Sequence, residues 1–207
     1  DTPEMERPQL KTKEILARLA IEVRKFGFKG SGQNFRKAGG DFIFVINFWK
    51  TRWGDEFFIN LGAQPIFIPT EGESAPDPKK LKEYECVFRR RVVNKCRWTM
   101  DEDEIKELIA MLNAAQKDFF EKAQQLRTAV ETDPPEVLLR DFKIISITTD
   151  ARVILHLARA CAVLGQPEKA SSFVSLGLEL AGNVATSLRA QLKSVLSSQP
   201  PASINPL

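Results

Sequence analysis

Two apolar runs that lie close together in the chain constrain its fold more than any other feature. Phe42–Trp49 and Phe57–Leu61 are rich in phenylalanine, isoleucine and valine, and a short polar segment separates them. This pattern predicts two neighbouring β-strands. Each run contains one asparagine, Asn47 or Asn60, where a hydrophobic residue would be expected. Because a buried amide costs free energy unless it is hydrogen-bonded, these asparagines indicate either a structural network or a ligand-binding face.

The other segments place this sheet in an α+β fold. Residues 8–26 have apolar side chains at helical spacing and end at Gly27, which predicts a helix. Residues 34–37 and 41–50 flank a Gly-Gly pair and predict a hairpin. Further strands are expected over 56–62, 82–93 and 95–99, with a short extended piece over 65–68, and further helices over 101–130, 135–142, 150–164, 167–181 and 184–196. We therefore predict an antiparallel sheet of about four to six strands flanked by helices, followed by a C-terminal helical region.

A proline pair at residues 134–135 marks the boundary between two parts of the chain. We expect residues 1–130 to form an α+β domain and residues 131–200 to form a helical appendage docked on it. Residues 201–207 are expected to be a frayed tail. Residues 69–78 are rich in proline, glycine, serine and acids, and this composition predicts a loop.

Composition narrows the classes of protein and partner. The net charge of +3 is too small to indicate nucleic acid by itself. Lys and Arg outnumber Asp and Glu 19 to 13 in residues 1–99, but the ratio is 11 to 14 in residues 100–207. The basic half therefore meets either an acidic partner or the chain's own acidic half. Three cysteines without CxxC spacing argue against a disulfide framework and a zinc site, and they suit a reducing cytosol. No apolar run is long enough to span a membrane, so we expect a cytoplasmic protein with no membrane partner.

Strand alternation brings a set of polar and aromatic side chains to one face of the predicted sheet. Asn47 and Trp49 share a face of the first apolar run, and Asn60 lies on a face of the second. If residues 85–93 are a neighbouring strand, its alternate positions add one acid and two arginines. The candidate ligand-binding or partner-binding residues are Asn47, Trp49, Asn60, Glu85, Arg89 and Arg91.

These residues allow two interpretations. An arginine presents a planar fork that suits carboxylate or phosphate, and it can stack on tryptophan, so the set can bind a ligand. Alternatively, the set is a polar network that satisfies the sheet face beneath the long helix, with Glu85 neutralising an arginine. Trp49, Trp53 and Trp98 could stack bases, although core or interface use is the simpler explanation. Arg90 points away from its two neighbours in a strand, so the three arginines are not a single basic patch.

Catalytic patterns are sparse. His156 is the only histidine and lies in an apolar helix, which indicates a core residue rather than a base. The chain has no HExxH, no GxSxG and no aspartate-rich metal loop. The acidic run at 101–104 suits the N-terminus of a helix. We therefore predict no catalytic residues, no metal site and no cofactor.

Several motifs resemble a bacterial family called domain of unknown function 4304. They are GFKGSGQNFRK, VINFWKTRWG, FFINLG and ECVFRRRV, followed by Trp98, and the resemblance covers residues 10–130. Trp49 departs from the family pattern, which has glutamine there. The family has no assigned activity, so the resemblance implies a fold rather than a function.

Residues 151–181 look like a single tetratricopeptide-type helical hairpin. One such repeat cannot bury its own apolar face, since at least about three are needed. The hairpin therefore either docks on the first domain or offers a groove to a partner.

We expect a non-catalytic cytoplasmic binding protein of a neutralising or immunity type, with another protein as its partner. One alternative is a nucleic-acid-binding protein. The other is an enzyme that acts on a phosphorylated or carboxylated small molecule, for which the arginines would hold the anionic group. The sequence gives no indication of the oligomeric state.

Overall fold

An antiparallel meander forms the centre of the fold. The computed structural model describes residues 10–51, 56–97 and 99–197. In this part of the chain the strands are β1 Lys29–Ser31, β2 Asn34–Gly39, β3 Phe42–Lys50, β4 Glu56–Pro65 and β5 Phe88–Arg97. They lie in the sheet in chain order, and each is antiparallel to its neighbour.

Helices precede and follow the sheet. They are α1 Thr12–Lys25, α2 Glu102–Gln124, α3 Leu126–Thr132, α4 Pro135–Lys143, α5 Asp150–Val163, α6 Pro167–Ala181 and α7 Thr186–Ser197, with a short 3-10 helix at Glu83–Glu85. Asp101 caps α2, because its carboxylate accepts from two backbone N–H groups of the first turn. The chain has an α+β fold with a C-terminal helical region, and the predicted fold class is confirmed.

One face of the sheet holds the main core. Alternate residues of β3, Phe42 to Phe48, are buried on this face together with Ile15 and Leu19 of α1. From α2, the ring of Phe120 lies 4.6 Å from that of Phe44. The apolar face of the strand, which follows from its period-2 alternation, and the apolar stripes of both helices therefore bury one another, as the sequence predicts.

A segment between β4 and β5 covers part of the other face. Leu81 and Cys86 from this segment form a small second core with Ile43 and Val45 of β3. The approach is closest at Gly62, where an added Cβ atom would lie 2.7 Å from the Cys86 sulfur. A glycine is therefore required at this point of the strand.

Gln64 secures the same segment from the sheet. Its side chain is fully buried, and its Nε2 donates to the carbonyl oxygens of Pro65 at 2.9 Å and Ile68 at 3.0 Å. Its Oε1 accepts from the backbone N–H of Val87 at 3.1 Å. One amide thus satisfies backbone groups at both ends of the segment, which we call the cover segment (residues 66–87).

The C-terminal helices pack against the last strand. The ring of Phe142 in α4 lies 5.4 Å from that of Phe88 in β5. The backbone N–H of Arg89 donates to the carbonyl of Ile145 at 3.0 Å, so the connection after α4 occupies this edge of the sheet. The main core continues from the sheet into α4, α5 and α6. The limits of independently folding domains remain a prediction.

Several predicted boundaries differ from the structure. The expected strands over 82–93 and 95–99 are wrong, because a single strand begins at Phe88 and runs to Arg97. Residues 81–86 turn inward to bury apolar side chains on the sheet face instead of extending the ladder. The long helix breaks at Gln125, and β1 is an additional strand that the sequence pattern does not predict. The predicted turn at 52–55, Trp53, Trp98 and the frayed tail at 201–207 lie outside the described residues.

We predict that Gly62→Ala lowers the free energy of unfolding by about 1–3 kcal/mol, because the new methyl group overpacks against Cys86. Chemical denaturation measures this change. Gly39→Ala is the matched control, since no atom lies within 4 Å of the position that a methyl group would take there. Equal stability of the two variants would contradict close packing of the cover segment on β4.

We also predict that a fragment of residues 133–207 does not unfold cooperatively by itself, because its apolar side chains share one core with the sheet. Truncation after Glu131 should expose apolar surface on the sheet domain and lower its solubility. Circular dichroism and ultracentrifugation test both pieces. A monomeric fragment with a cooperative melting transition would show that the two parts are independent domains.

Candidate functional site

A row of polar side chains crosses four strands on the face opposite α1 and α2. Asn34, Asn47, Asn60 and Arg91 are direct register partners along β2, β3, β4 and β5. Asn47 Nδ2 donates to Asn34 Oδ1 at 2.9 Å, and Asn60 Nδ2 donates to Asn47 Oδ1 at 3.5 Å. Arg91 Nε donates to Asn60 Oδ1 at 3.2 Å.

Arg91 sets the direction of this row. A guanidinium group only donates hydrogen bonds, so Asn60 must turn its oxygen toward Arg91 and its NH₂ group toward Asn47. Asn47 in turn accepts from Asn60 through its oxygen and donates through its NH₂ group to Asn34. The row ends at Asn34, whose own NH₂ group has no hydrogen bond to a described residue. The row therefore presents a free donor group at Asn34, which favours a ligand that carries acceptors or negative charge.

Aromatic rings lie beside the row. The rings of Trp49 and Phe58 stack with centroids 5.6 Å apart and planes at 21°. The guanidinium of Arg91 lies 4.1 Å from the Phe58 centroid. Trp49 is 50% exposed, so an apolar surface is open to solvent at this point. The stacking holds the Arg91 head group in place without consuming its terminal N–H groups.

A groove of about 420 Å³ lies over this row. Its floor is the sheet, and its walls are the end of the cover segment and the α4–α5 connection. The lining residues are Gln33, Asn34, Asn47, Trp49, Asn60, Lys82, Glu83, Tyr84, Arg89, Arg91 and Ile147. Tyr84 and Ile147 are 59% and 54% exposed, and both give the groove an apolar rim.

The electrostatics of the groove favour an anion. Lys82, Arg89 and Arg91 face one carboxyl group, that of Glu83. Burial raises the pKa of Glu83, and the charges of the two arginines oppose this shift. Within the described residues, neither the Arg89 side chain nor the terminal nitrogens of Arg91 make a hydrogen bond or an ion pair. The groove therefore offers two guanidinium groups to an incoming acceptor.

The structure brings five of the six predicted residues together, and the exception is Glu85. Glu85 lies on the 3-10 helix, where its carboxylate accepts from the backbone N–H of Lys82 at 2.7 Å. The expected strand placement of Glu85 is wrong because the strand starts three residues later. Glu83 is the acid of the groove instead. The row also lies on the face away from α2, so the alternative of a network beneath the long helix is corrected.

Sequence reasoning missed the other lining residues for identifiable reasons. Asn34 could have been found, since the Gly-Gly turn fixes it opposite Asn47 in the hairpin register. Tyr84, Glu83 and Ile147 come from segments outside the sheet, and no local pattern places them there.

The model of the DUF4304 family, described as a domain of unknown function, matches residues 19–130. This match covers more than half of the chain. The chain belongs to the DUF4304 family. No curated protein and no solved structure matches it significantly. The family resemblance is thereby confirmed, and the tetratricopeptide-type hairpin remains a prediction.

Charged residues beyond the DUF4304 match hold the cover segment from outside. Arg152 Nη2 contacts Glu71 Oε2 at 2.6 Å, and His156 Nε2 lies 2.9 Å from Glu71 Oε1. Arg159 Nη2 pairs with Glu73 Oε2 at 2.6 Å. All three basic residues lie on α5, one helical turn apart. We call these five residues the latch.

The latch contains a buried neutral histidine. Burial lowers the pKa of His156, and the hydrogen bond to Glu71 only partly opposes this shift. Burial alone would raise the pKa of Glu71, but its hydrogen bonds with His156 and Arg152 and the charge of Arg152 lower it to about 2. Neutral His156 therefore donates from Nε2 to an ionised carboxylate. Its Nδ1 is left as a buried atom without a hydrogen-bond partner.

Other chemistry in this DUF4304 member is limited within the described residues. No group of three or more His, Cys, Asp or Glu side chains has the arrangement to hold a metal. All three cysteines are buried and unpaired. Burial raises the pKa of Cys96 to about 12 and that of Cys161 to about 11, so these thiols are weak nucleophiles at neutral pH. None of the described helices combines the length and apolar character needed to cross a membrane.

We predict that the latch makes stability depend on pH through its histidine. The pKa of His156 is lower in the folded state than its ordinary value of 6.5, so the unfolded chain binds a proton first as pH falls. The free energy of unfolding should be constant from pH 8 to 7. It should decrease below pH 6.5 by up to about 1.4 kcal/mol per pH unit. The low pKa of Glu71 adds a further loss below pH 4.5.

Urea denaturation between pH 8 and 5 measures this dependence. His156→Gln is the matched variant, because its amide can still donate to Glu71 but does not titrate. As His156 is the only histidine, the variant should have a shallower slope between pH 6.5 and 5. An identical slope in both proteins would show that His156 does not titrate with unfolding.

Proposed function

We propose that the protein is a non-catalytic binding protein whose sheet groove captures an acidic segment of a partner protein. The observation that supports this proposal is that the Arg91 guanidinium is held in place while its terminal N–H groups stay free of any described partner. Its Nε is held by Asn60 and its head group rests on Phe58, while its terminal N–H groups have no described partner. A guanidinium group that is fixed in place and still open can bind a carboxylate with little further loss of conformational freedom.

The surroundings of Arg91 suit a peptide. Trp49, Tyr84 and Ile147 expose apolar surface on three sides of the groove. Exposed tryptophan, tyrosine and arginine are the residue types that dominate protein interfaces. A segment with one carboxylate over Arg89 and Arg91 and an apolar side chain on Trp49 would use both features.

A bacterial cytoplasmic setting is proposed from cysteine usage and the family resemblance. In a neutralising or immunity-type role, occupation of the groove would block the partner's own activity. Of the two helices over 151–181, which we propose to form a tetratricopeptide-type hairpin, α5 contributes because it holds the cover segment.

Glu83 favours a second candidate function. Burial raises the pKa of this carboxyl group, and two arginines lie in the same groove. A carboxyl group with a raised pKa beside anion-binding residues is a recurring feature of active sites. The alternative is therefore an enzyme acting on a phosphorylated or carboxylated small molecule, with Glu83 as its acid. Conversion of such a substrate that is lost in Glu83→Gln would favour it.

We predict that Arg89→Ala and Arg91→Ala each weaken binding of acidic peptides by about 10-fold or more, because each removes a charge-assisted contact. The probe is a synthetic peptide library that combines aspartate or glutamate with leucine or phenylalanine, measured by fluorescence anisotropy. Arg90→Ala is the matched control. Arg90 lies on the opposite face, paired with Asp118 of α2, and its loss should leave binding unchanged.

Melting temperatures separate a binding role from a structural one. Arg91 is exposed, so its loss should cost little stability, whereas removal of one partner of a buried pair costs about 3–5 kcal/mol. Loss of stability with unchanged peptide binding would identify a structural network and overturn the proposal. Tighter binding of single-stranded DNA or RNA than of any peptide, with steep salt dependence, would favour the nucleic-acid alternative.

A further inference from the structure

A second cavity, of about 410 Å³, lies on the helix side of the sheet. Phe26, Phe28, Phe44 and Phe120 supply its aromatic walls, and Gln116 of α2 also lines it. Phe26, the residue that follows α1, is 43% exposed. Phe44 faces α2, whereas the row of asparagines lies on the reverse side of β3. The cavity is therefore separate from the groove.

A hydrogen-bond relay leaves one acceptor in this cavity lining without a partner. Glu22 accepts from Lys25 Nζ at 2.7 Å and from Asn113 Nδ2 at 2.8 Å. The hydrogen bond from Lys25 and, to a smaller extent, that from Asn113 lower the pKa of Glu22. Glu22 is therefore an ionised carboxylate, which can only accept hydrogen bonds. Asn113 must therefore turn its oxygen toward Gln116, which donates from Nε2 at 3.3 Å.

The direction of the relay fixes the orientation of the Gln116 amide. Its NH₂ group is committed to Asn113, so its Oε1 must point the other way. Gln116 is 4% exposed, and this Oε1 is buried with no hydrogen-bond partner. Buried acceptors are rarely left unpaired in native proteins. A ligand donor that enters the cavity lined by Gln116 can pair with Oε1 after a small rotation of the amide, because its terminal torsion is soft.

The charges at the mouth indicate the other end of the ligand. Lys37, Lys117 and Glu121 line the cavity with exposed side chains, so the local charge is positive. Neither lysine forms an ion pair within the described residues. A carboxylate on the ligand would therefore meet two uncompensated ammonium groups and one repelling acid.

We propose that this cavity binds a small aromatic carboxylic acid that carries an N–H or O–H donor. The ring lies among the phenylalanines, the donor pairs with Gln116 Oε1, and the carboxylate lies between Lys37 and Lys117. The ring matches the aromatic walls, the donor matches the unpaired acceptor, and the carboxylate matches the positive charge at the mouth. The proposal does not depend on the function proposed for the groove.

Indole-3-acetate and its 1-methyl analogue are the probes, because they differ only in the N–H donor. Each is titrated into the full chain by NMR, with the phenylalanine ring signals as the readout. The N–H compound should bind about fivefold or more tightly than the methylated one. Gln116→Leu should remove this difference. Arg91→Ala, which alters the groove, should change neither affinity.

Three results would overturn the proposal. They are the absence of saturable shifts at the rings of Phe28, Phe44 and Phe120, equal affinity for both probes, and a preference for the N–H compound that persists in Gln116→Leu. If that variant does not fold, Lys37→Ala with Lys117→Ala tests the same placement through two exposed side chains. This double variant should weaken both probes, and unchanged affinity would also overturn the proposal.

Discussion

The packing of the cover segment on the second face of the sheet is the contact on which the rest of the structure depends. Cys86 lies over Gly62 with no room for a side chain at residue 62, and Gln64 hydrogen-bonds to both ends of the segment, at Ile68 and Val87. This contact buries Ile43 and Val45, so the middle strand is apolar on both faces. Where the cover segment ends, the same face becomes polar and open, and the groove begins.

The groove and the C-terminal helices are physically linked through this segment. Its last part carries Glu83 and Tyr84 into the groove wall, and its first half is held to α5 by Glu71 and Glu73. Ile147 adds a wall from the same helical region. The DUF4304 match ends at residue 130, so residues outside the matched part complete the site. The C-terminal region thus belongs to the architecture of the groove.

In both proposed sites an ionised side chain fixes the orientation of a series of hydrogen-bonded amides. In the groove, Arg91 can only donate, so within the described residues the asparagine row ends in a free NH₂ group at Asn34. On the opposite face Glu22 can only accept, so the relay through Asn113 ends at Gln116 Oε1, a buried acceptor without a hydrogen-bond partner in the described part of the chain. Opposite charges at the two ends give opposite hydrogen-bonding character, and the two sites therefore suit different ligands.

The sequence by itself determined which residues share a face. Period-2 alternation places Asn47 and Trp49 on one side of β3 and Phe42, Phe44 and Phe48 on the other, because each strand residue reverses direction. The register with β4 then brings Phe58 and Asn60 to the side of Asn47 and Trp49. Helical periodicity likewise locates the helices to within a few residues. Only the tertiary structure decided that Glu83 rather than Glu85 enters the groove, since burial of the neighbouring Cys86 bends the chain out of the ladder. It also decided the pairing of His156 with Glu71, because residues 85 positions apart meet only when the cover segment and α5 pack together.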